Sequence, residues 1–504
     1  MIGKRQLVTF SLLTLTVLSA LLLIAAHPAQ AATETVLYNF CSAQNCTDGD
    51  DPQSGLTFHA GNLYGTTCTG GLWQAGTVFE LSPNGGGGWN ETVLYSFTGE
   101  ADGGCPYANV TFDSAGNLYG TTPAGGIPNG GYGAGVVFEL SPAGSSWTET
   151  TAYSFQGGAD GEDPYDGLIL DSAGNFYGIN SAGVFELTPS GGGWAEQVIY
   201  PDTGGGGYAN LTMDPAGNMF GVFANPTGNG PSSAFELSPN GSGGWNPSVI
   251  YTFPGYSGDG SNPEGTPVLD QAGNLYGTTT DGGSANGGTV YKLSPGKTGW
   301  TEEILYSFKT NGTDGYDPIQ GLVFDAAGNL YGSTFGGGKN GLGAVYELTP
   351  GGNGKYKEKV LSSFTPSGSG GAYPFGTLIM DSAGNLYGTT ANGGTTDNGV
   401  VFEVHTVVAV KTTTTLTSSP NPSADGQAVT FTAEVTSSRG APPNAETVSF
   451  LKGKTVLGTG ALSGGTATFV TSTLKVGTTS VTAVYAGDSQ FLGSKSKPVK
   501  QVVQ

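Results

Sequence analysis

Apolar residues fall in short runs between residues 34 and 405, and Gly, Pro or Asp-Gly ends almost every run. In the stretch Glu91–Phe97, Val93 and Tyr95 alternate with Thr92 and Leu94, the period-two signature of a strand with one buried face. Segments of this type recur at Glu34–Phe40, Glu149–Phe155, Glu196–Tyr200, Pro247–Phe253, Glu302–Phe308 and Glu358–Phe364. A second type, GNLYGTT, stands at Gly61–Thr67, Gly116–Thr122, Gly273–Thr279 and Gly384–Thr390, with looser copies from Gly174, Gly217 and Gly328. A third, VFELSP, follows each of these, from Val78–Pro83 to Val401–His405. Seven copies of each spread over about 375 residues give a repeat near 54 residues long.

Each repeat predicts four strands. Strand a is a short apolar run such as Gly321–Phe324, and an Asp-x-Ala-Gly-Asn turn such as Asp325–Asn329 leads into strand b, GNLYGTT. In that turn the carboxylate can cap backbone N–H groups while Gly takes the positive φ of a tight hairpin. Strand c is VFELSP, stopped by a Pro that cannot donate to a ladder, and strand d is ETVLYSF. Four antiparallel strands repeated at this spacing describe a propeller blade or a solenoid turn. The two ends of the repeat region choose between them. The region opens on a lone d strand, Glu34–Phe40, and closes on a repeat that has only a, b and c. A ring completes the last blade with the first strand, whereas a solenoid leaves two unpaired edges. The expectation is an all-β chain, a seven-bladed β-propeller closed by its N-terminal strand over residues 32–408.

Beyond Val408 aromatics thin out and Thr, Ser and Lys increase, and alternating strands follow at Val429–Val435, Thr447–Leu451, Ala467–Thr471 and Ser480–Tyr485. Residues 409–504 are expected to form an Ig-like β-sandwich. Charge divides in the same place: residues 32–408 hold 7 Lys and no Arg against 35 Asp and Glu, a net of −28, while residues 409–504 carry a net of +4. So acidic a body repels phosphates and anionic headgroups, which argues against nucleic acid or an anionic membrane surface as partners. The 89 Gly and 28 Pro suit many short strands joined by turns and exclude long helices.

Residues 1–31 read as a signal peptide: basic Lys4 and Arg5, an apolar stretch from Leu7 to Ala26, and Ala29-Gln30-Ala31 as a small-x-small cleavage site. Four cysteines, Cys41, Cys46, Cys68 and Cys105, are clustered as expected of two disulfides in an exported protein, with three pairings possible.

The repeating unit ETVLYSF…GLVFDAAGNLYGTT…GTVFELSP resembles the GloVer-type tandem repeat of bacterial "choice-of-anchor" surface proteins over Glu34 to Val404. The tail segments Thr412–Pro422, Val448–Gly458 and Val481–Phe491 resemble a bacterial Ig-like domain. Both resemblances imply a secreted or cell-surface setting. Neither supplies a catalytic set.

Only His59 and His405 follow the signal, and neither is placed for a Ser-His-Asp or Cys-His arrangement, so no catalytic residue is assigned. The constellation that could carry chemistry is Asp-Gly-x-x-Pro, with its Asp at Asp48, Asp102, Asp160, Asp259 and Asp314. These loops join strand d to the next strand a, and further carboxylates, Asp51, Asp163 and Asp317, precede the Pro. An Asp-Gly turn with Pro opening the next strand explains the motif structurally. The functional alternative is a ring of oxygens converging on the axis, able to take a ligand or to bind Ca²⁺ through Asp48, Asp160 and Asp314. Trp73, in a b–c loop, is the further ligand-face candidate. The expected function is non-catalytic recognition of a protein or glycan at the cell surface, through the loop face of the propeller. The alternative is a carbohydrate-active hydrolase or lyase using the loop carboxylates.

Overall fold

The structure is a computed structural model of the whole chain. Its described residues are 34–504 apart from 86, 127–132, 203–210, 225–231, 256–257, 352–353, 366–369, 407–409, 438–439, 443–445 and 488–490. The expected signal peptide therefore lies outside them.

Among the described residues there is no α-helix, only strands and two short 3-10 turns. Six four-stranded sheets run in the order a-b-c-d, the first from Thr57–His59 through Asn62–Thr67 and Thr77–Pro83 to Trp89–Ser96. The seventh takes its outer strand from the other end of the repeat region: Glu34–Asn39 pairs antiparallel with Val400–Val404, Glu34 opposite Val404 and Asn39 opposite Val400. The ring is closed as the repeat pattern predicts.

The a–b turn forms as its chemistry dictates. Asp325 Oδ1 accepts from the backbone N–H of Ala327 and Asn329, both at 2.9 Å, while its Oδ2 accepts from the Asn329 amide at 2.7 Å. The first repeat has His59-Ala60 instead; there the His59 ring stacks on Phe112 at 3.9 Å and Ala60 takes the positive φ. In strand b, the Gly after Tyr lies under the strand-c aromatic. A Cβ on Gly65 would stand 2.6 Å from the Phe79 ring, and the same approach recurs down to Gly388 under Phe402. That aromatic meets the Phe ending strand d edge-on, as Phe40 does Phe79 at 5.0 Å, and both are fully buried.

Blades also hook onto one another. A Cβ on Gly76, in the b–c loop of blade one, would fall 2.8 Å from Cδ of Pro106, which opens the next blade, and Gly399 would meet Pro52 at 2.5 Å. The five Trp residues before strand d pack against a neighbouring blade, Trp245 edge-on to Tyr177 at 5.6 Å and Trp300 to Phe220 at 6.0 Å.

Residues from Val410 to Val503 form a further eight-stranded β-structure, antiparallel except where Val410-Lys411 runs parallel to Phe491-Leu492. Alternate residues of its strands, including Phe431, Val448, Phe450, Val481 and Tyr485, meet in one apolar core, as a sandwich requires.

Candidate functional site

The d–a and b–c loops share one face, where they pair with each other: Gly315-Tyr316 with Gly336-Gly337, and Asp50 with Thr69. The Asp-Gly carboxylates do not converge on the axis from these loops. Each is turned outward onto its own d strand. Asp314 Oδ2 accepts from Tyr306 Oη at 2.7 Å and from the Lys309 N–H at 3.0 Å. Asp48 is held by Tyr38 at 2.8 Å, Asp102 by Tyr95 at 2.9 Å, Asp160 by Tyr153 at 2.9 Å and Asp259 by Tyr251 at 3.2 Å. The reason is local: a buried carboxylate needs donors, and the Tyr hydroxyl and the turn N–H groups lie within reach.

A Glu from the next blade's d strand completes each junction. Burial first, and then the facing Asp, push Glu91 and Glu358 to about 7 and Glu196 and Glu302 to about 8. Glu149 is likewise raised to about 7 by burial and Asp102, against a lowering hydrogen bond from Thr151. Asp48, Asp160 and Asp314, the proposed Ca²⁺ ligands, stand at three separate junctions. Among the described residues no three His, Cys, Asp or Glu are grouped as a metal would need.

The pre-proline candidates Asp51, Asp163 and Asp317 all take a φ of 55°. Asp51 accepts from the Gln53 amide at 2.7 Å. Trp73 is 64% exposed beside Leu72, in the loop that the Cys68–Cys105 disulfide ties down. The other pairing is Cys41–Cys46, so one of the three open connectivities is selected.

The concave site lies elsewhere, on the axis. A cavity of about 440 Å³ sits where the d–a loops turn into the inner strands. Its walls come from the residues just after each loop Pro: Gln53, Tyr107, Tyr165, Glu264, Ile319 and Phe375, with Asn109, Asp166 and Gln320 beside them. Beneath it the channel narrows onto an apolar layer that includes Leu56, Leu168, Leu211 and Leu322. Tyr107 and Tyr165 meet edge-on at 5.5 Å.

Two carboxyl groups face this cavity. Asp166 is 8% exposed, and its Oδ2 has no hydrogen-bond partner among the described residues. Burial, and then Glu264, hold Asp166 well above the usual carboxylate range. Burial, then Asp281 and Asp317, push Glu264 to about 7. Asp51 acts on the rim in the same way, adding to the burial that raises the Tyr107 hydroxyl. The regular spacing of the Asp-Gly motif points to the repeated loop positions, whereas the cavity is built from the column four residues before strand a. Aligning the repeats and reading that column would have found it.

The family model described as the Gloeobacter/Verrucomicrobia repeat matches residues 25–188 and 206–472. No curated relative matches the sequence. Among solved structures, the chain is similar to the extracellular domain of a B. thetaiotaomicron protein provisionally assigned as a hybrid two component system, at 9% identity and a TM-score of 0.47. That likeness covers 93% of this chain and 60% of the other, so the chain spans less than two thirds of its neighbour's length. A Bacteroides fragilis protein provisionally assigned as a 6-phosphogluconolactonase is similar at 13% identity and a TM-score of 0.40, over 72% of this chain and 88% of that one.

Proposed function

The chain belongs to the Gloeobacter/Verrucomicrobia repeat family, and from that premise we propose that it is an exported recognition protein that holds a glycan in its axial cavity. The observation that carries this reading is the composition of the cavity wall. Tyr107, Tyr165 and Phe375 offer ring faces and edges, and Gln53, Asn109, Gln320 and Thr377 offer directional polar groups. A cavity of 440 Å³ is of the size that small ligands occupy. The two disulfides suit an oxidising compartment. Residues 409–504 serve in this reading as a spacer or docking unit.

The test is a glycan array probed with the full chain and with Tyr107→Ala and Tyr165→Ala. Saturable binding that both substitutions weaken at least tenfold supports the reading. Binding that neither substitution changes removes it from the cavity.

The pair Asp166 and Glu264 favours one second reading, cleavage of the bound glycan by a carboxylic acid and a carboxylate working together. Polysaccharides incubated with the protein would then yield new reducing ends, and Asp166→Asn would abolish their release.

A further inference from the structure

We propose that the axial cavity selects a sugar bearing a free ammonium group, the end unit of an amino-sugar glycan, with Asp166 and Glu264 as its counter-charges. This rests on the glycan reading above and narrows it. The first observation is the unpartnered oxygen of Asp166. A buried polar atom without a partner is destabilising, and of those among the described residues only Asp166 Oδ2 stands in the cavity wall, where a ligand can supply the missing donor. The second is the sign of everything around it. Among the described residues no Lys, Arg or His lines the cavity, while Asp166 and Glu264 do.

Further carboxylates surround these two. Asp281 and Asp317 act on Glu264, and Asp51 acts on Tyr107. A cleft whose charges share one sign concentrates the opposite charge, and the aromatic rings of Tyr107, Tyr165 and Phe375 in its wall suit a cation as well. A neutral sugar could donate to Asp166 through a hydroxyl, but it would leave this field unanswered. An ammonium answers both: its N–H groups reach Asp166 and Glu264, and its charge allows both to ionise. Binding near neutral pH is therefore accompanied by proton release from these two groups.

The experiment is titration calorimetry on the full chain with three probes: a glucosamine oligomer, its fully N-acetylated counterpart and a neutral glucose oligomer. Run at pH 6 in two buffers of different ionisation heat, it also counts the protons released. The expected result is binding of the glucosamine oligomer at least tenfold tighter than either other probe, with net proton release and an affinity that weakens as salt rises. Asp166→Asn and Glu264→Gln should each remove most of that preference, weakening the glucosamine oligomer at least tenfold more than the neutral one. Glu264→Gln keeps the test open should Asp166→Asn fold poorly. Equal affinity for all three probes overturns the ammonium site and leaves glycan recognition standing. No binding of any probe by a protein that does bind another glycan on the array has the same outcome. No binding of any glycan at all overturns both.

Discussion

The outer junctions of the propeller and its axial cavity bury the same kind of group in different company. At the rim, five Asp carboxylates each find a Tyr hydroxyl from their own blade and a Glu from the next. Some rim oxygens also lack a donor, Asp48 Oδ1 and Oε1 of Glu91, Glu196, Glu302 and Glu358, but of the unpartnered oxygens among the described residues only Asp166 Oδ2 borders the axial cavity. The rim arrangement recurs at five junctions, whereas in the sequence the residue four before strand a is in turn Gln53, Tyr107, Tyr165, Tyr208, Glu264, Ile319 and Phe375. Repeated units keep alike what holds them together. What differs between the units lines the axial cavity.

The largest effect separating the two regions should come from the closing strand. Phe40 is fully buried against Phe79, and Phe40→Ala should lower the stability of the ring by about 3–5 kcal/mol in chemical denaturation. Tyr107→Ala, at the partly exposed cavity wall, should stay within about 1 kcal/mol.

The next effect is of pH. The rim Glu residues hold their protons in the folded ring up to about 7 or 8, above their ordinary 4.5. Between these values the folded state binds more protons than the unfolded one, so stability falls as pH rises. The turn carboxylates Asp171, Asp270 and Asp325 are shifted downward by the hydrogen bonds of their turns, despite burial that pushes them up. Their contribution is present above pH 3.8 and is lost below it. Melting temperature should therefore peak near pH 4–5 and decline toward pH 8 by roughly 5 °C or more. A curve flat between pH 5 and 8 would show that the rim pairs do not share protons.

A smaller effect is expected from a single latch. Asp314→Ala leaves the Tyr306 hydroxyl and two backbone donors without their acceptor and should cost about 1–3 kcal/mol. The smallest belongs to the axis: Asp166→Asn removes a buried acid with nothing to bind, so the melting temperature should hold or rise. A fall as large as that of Asp314→Ala would make Asp166 a structural residue and erase the contrast.

The scaffold was readable in the amino-acid order because its parts repeat. The Asp325-type turn, the Gly under the strand-c aromatic and the unmatched strand Glu34–Asn39 each follow from local chemistry or from counting strands. The pairing of Cys41 with Cys46 depends on how the loop after the closing strand folds, which spacing does not determine. The cavity escaped for a different reason. Regularity marked the Asp-Gly carboxylates as candidates, yet a regular buried acid is one whose partners also recur, as Tyr38, Tyr95, Tyr153, Tyr251 and Tyr306 do. In the d strand of blade four, Pro247 stands where the other d strands carry Glu, so that strand has no Glu to offer at this position.

The contact of Gly76 with Pro106 is reproduced by Gly135 with Pro164, Gly288 with Pro318, Gly343 with Pro374 and Gly399 with Pro52. At these five seams the trailing edge of one unit fits the leading edge of the next by the same bare backbone and flat ring, so units that carry both edges share one joint. A lineage could duplicate, delete or shuffle them without inventing a new seam, and each rearrangement would present a different set of side chains to the hole in the middle.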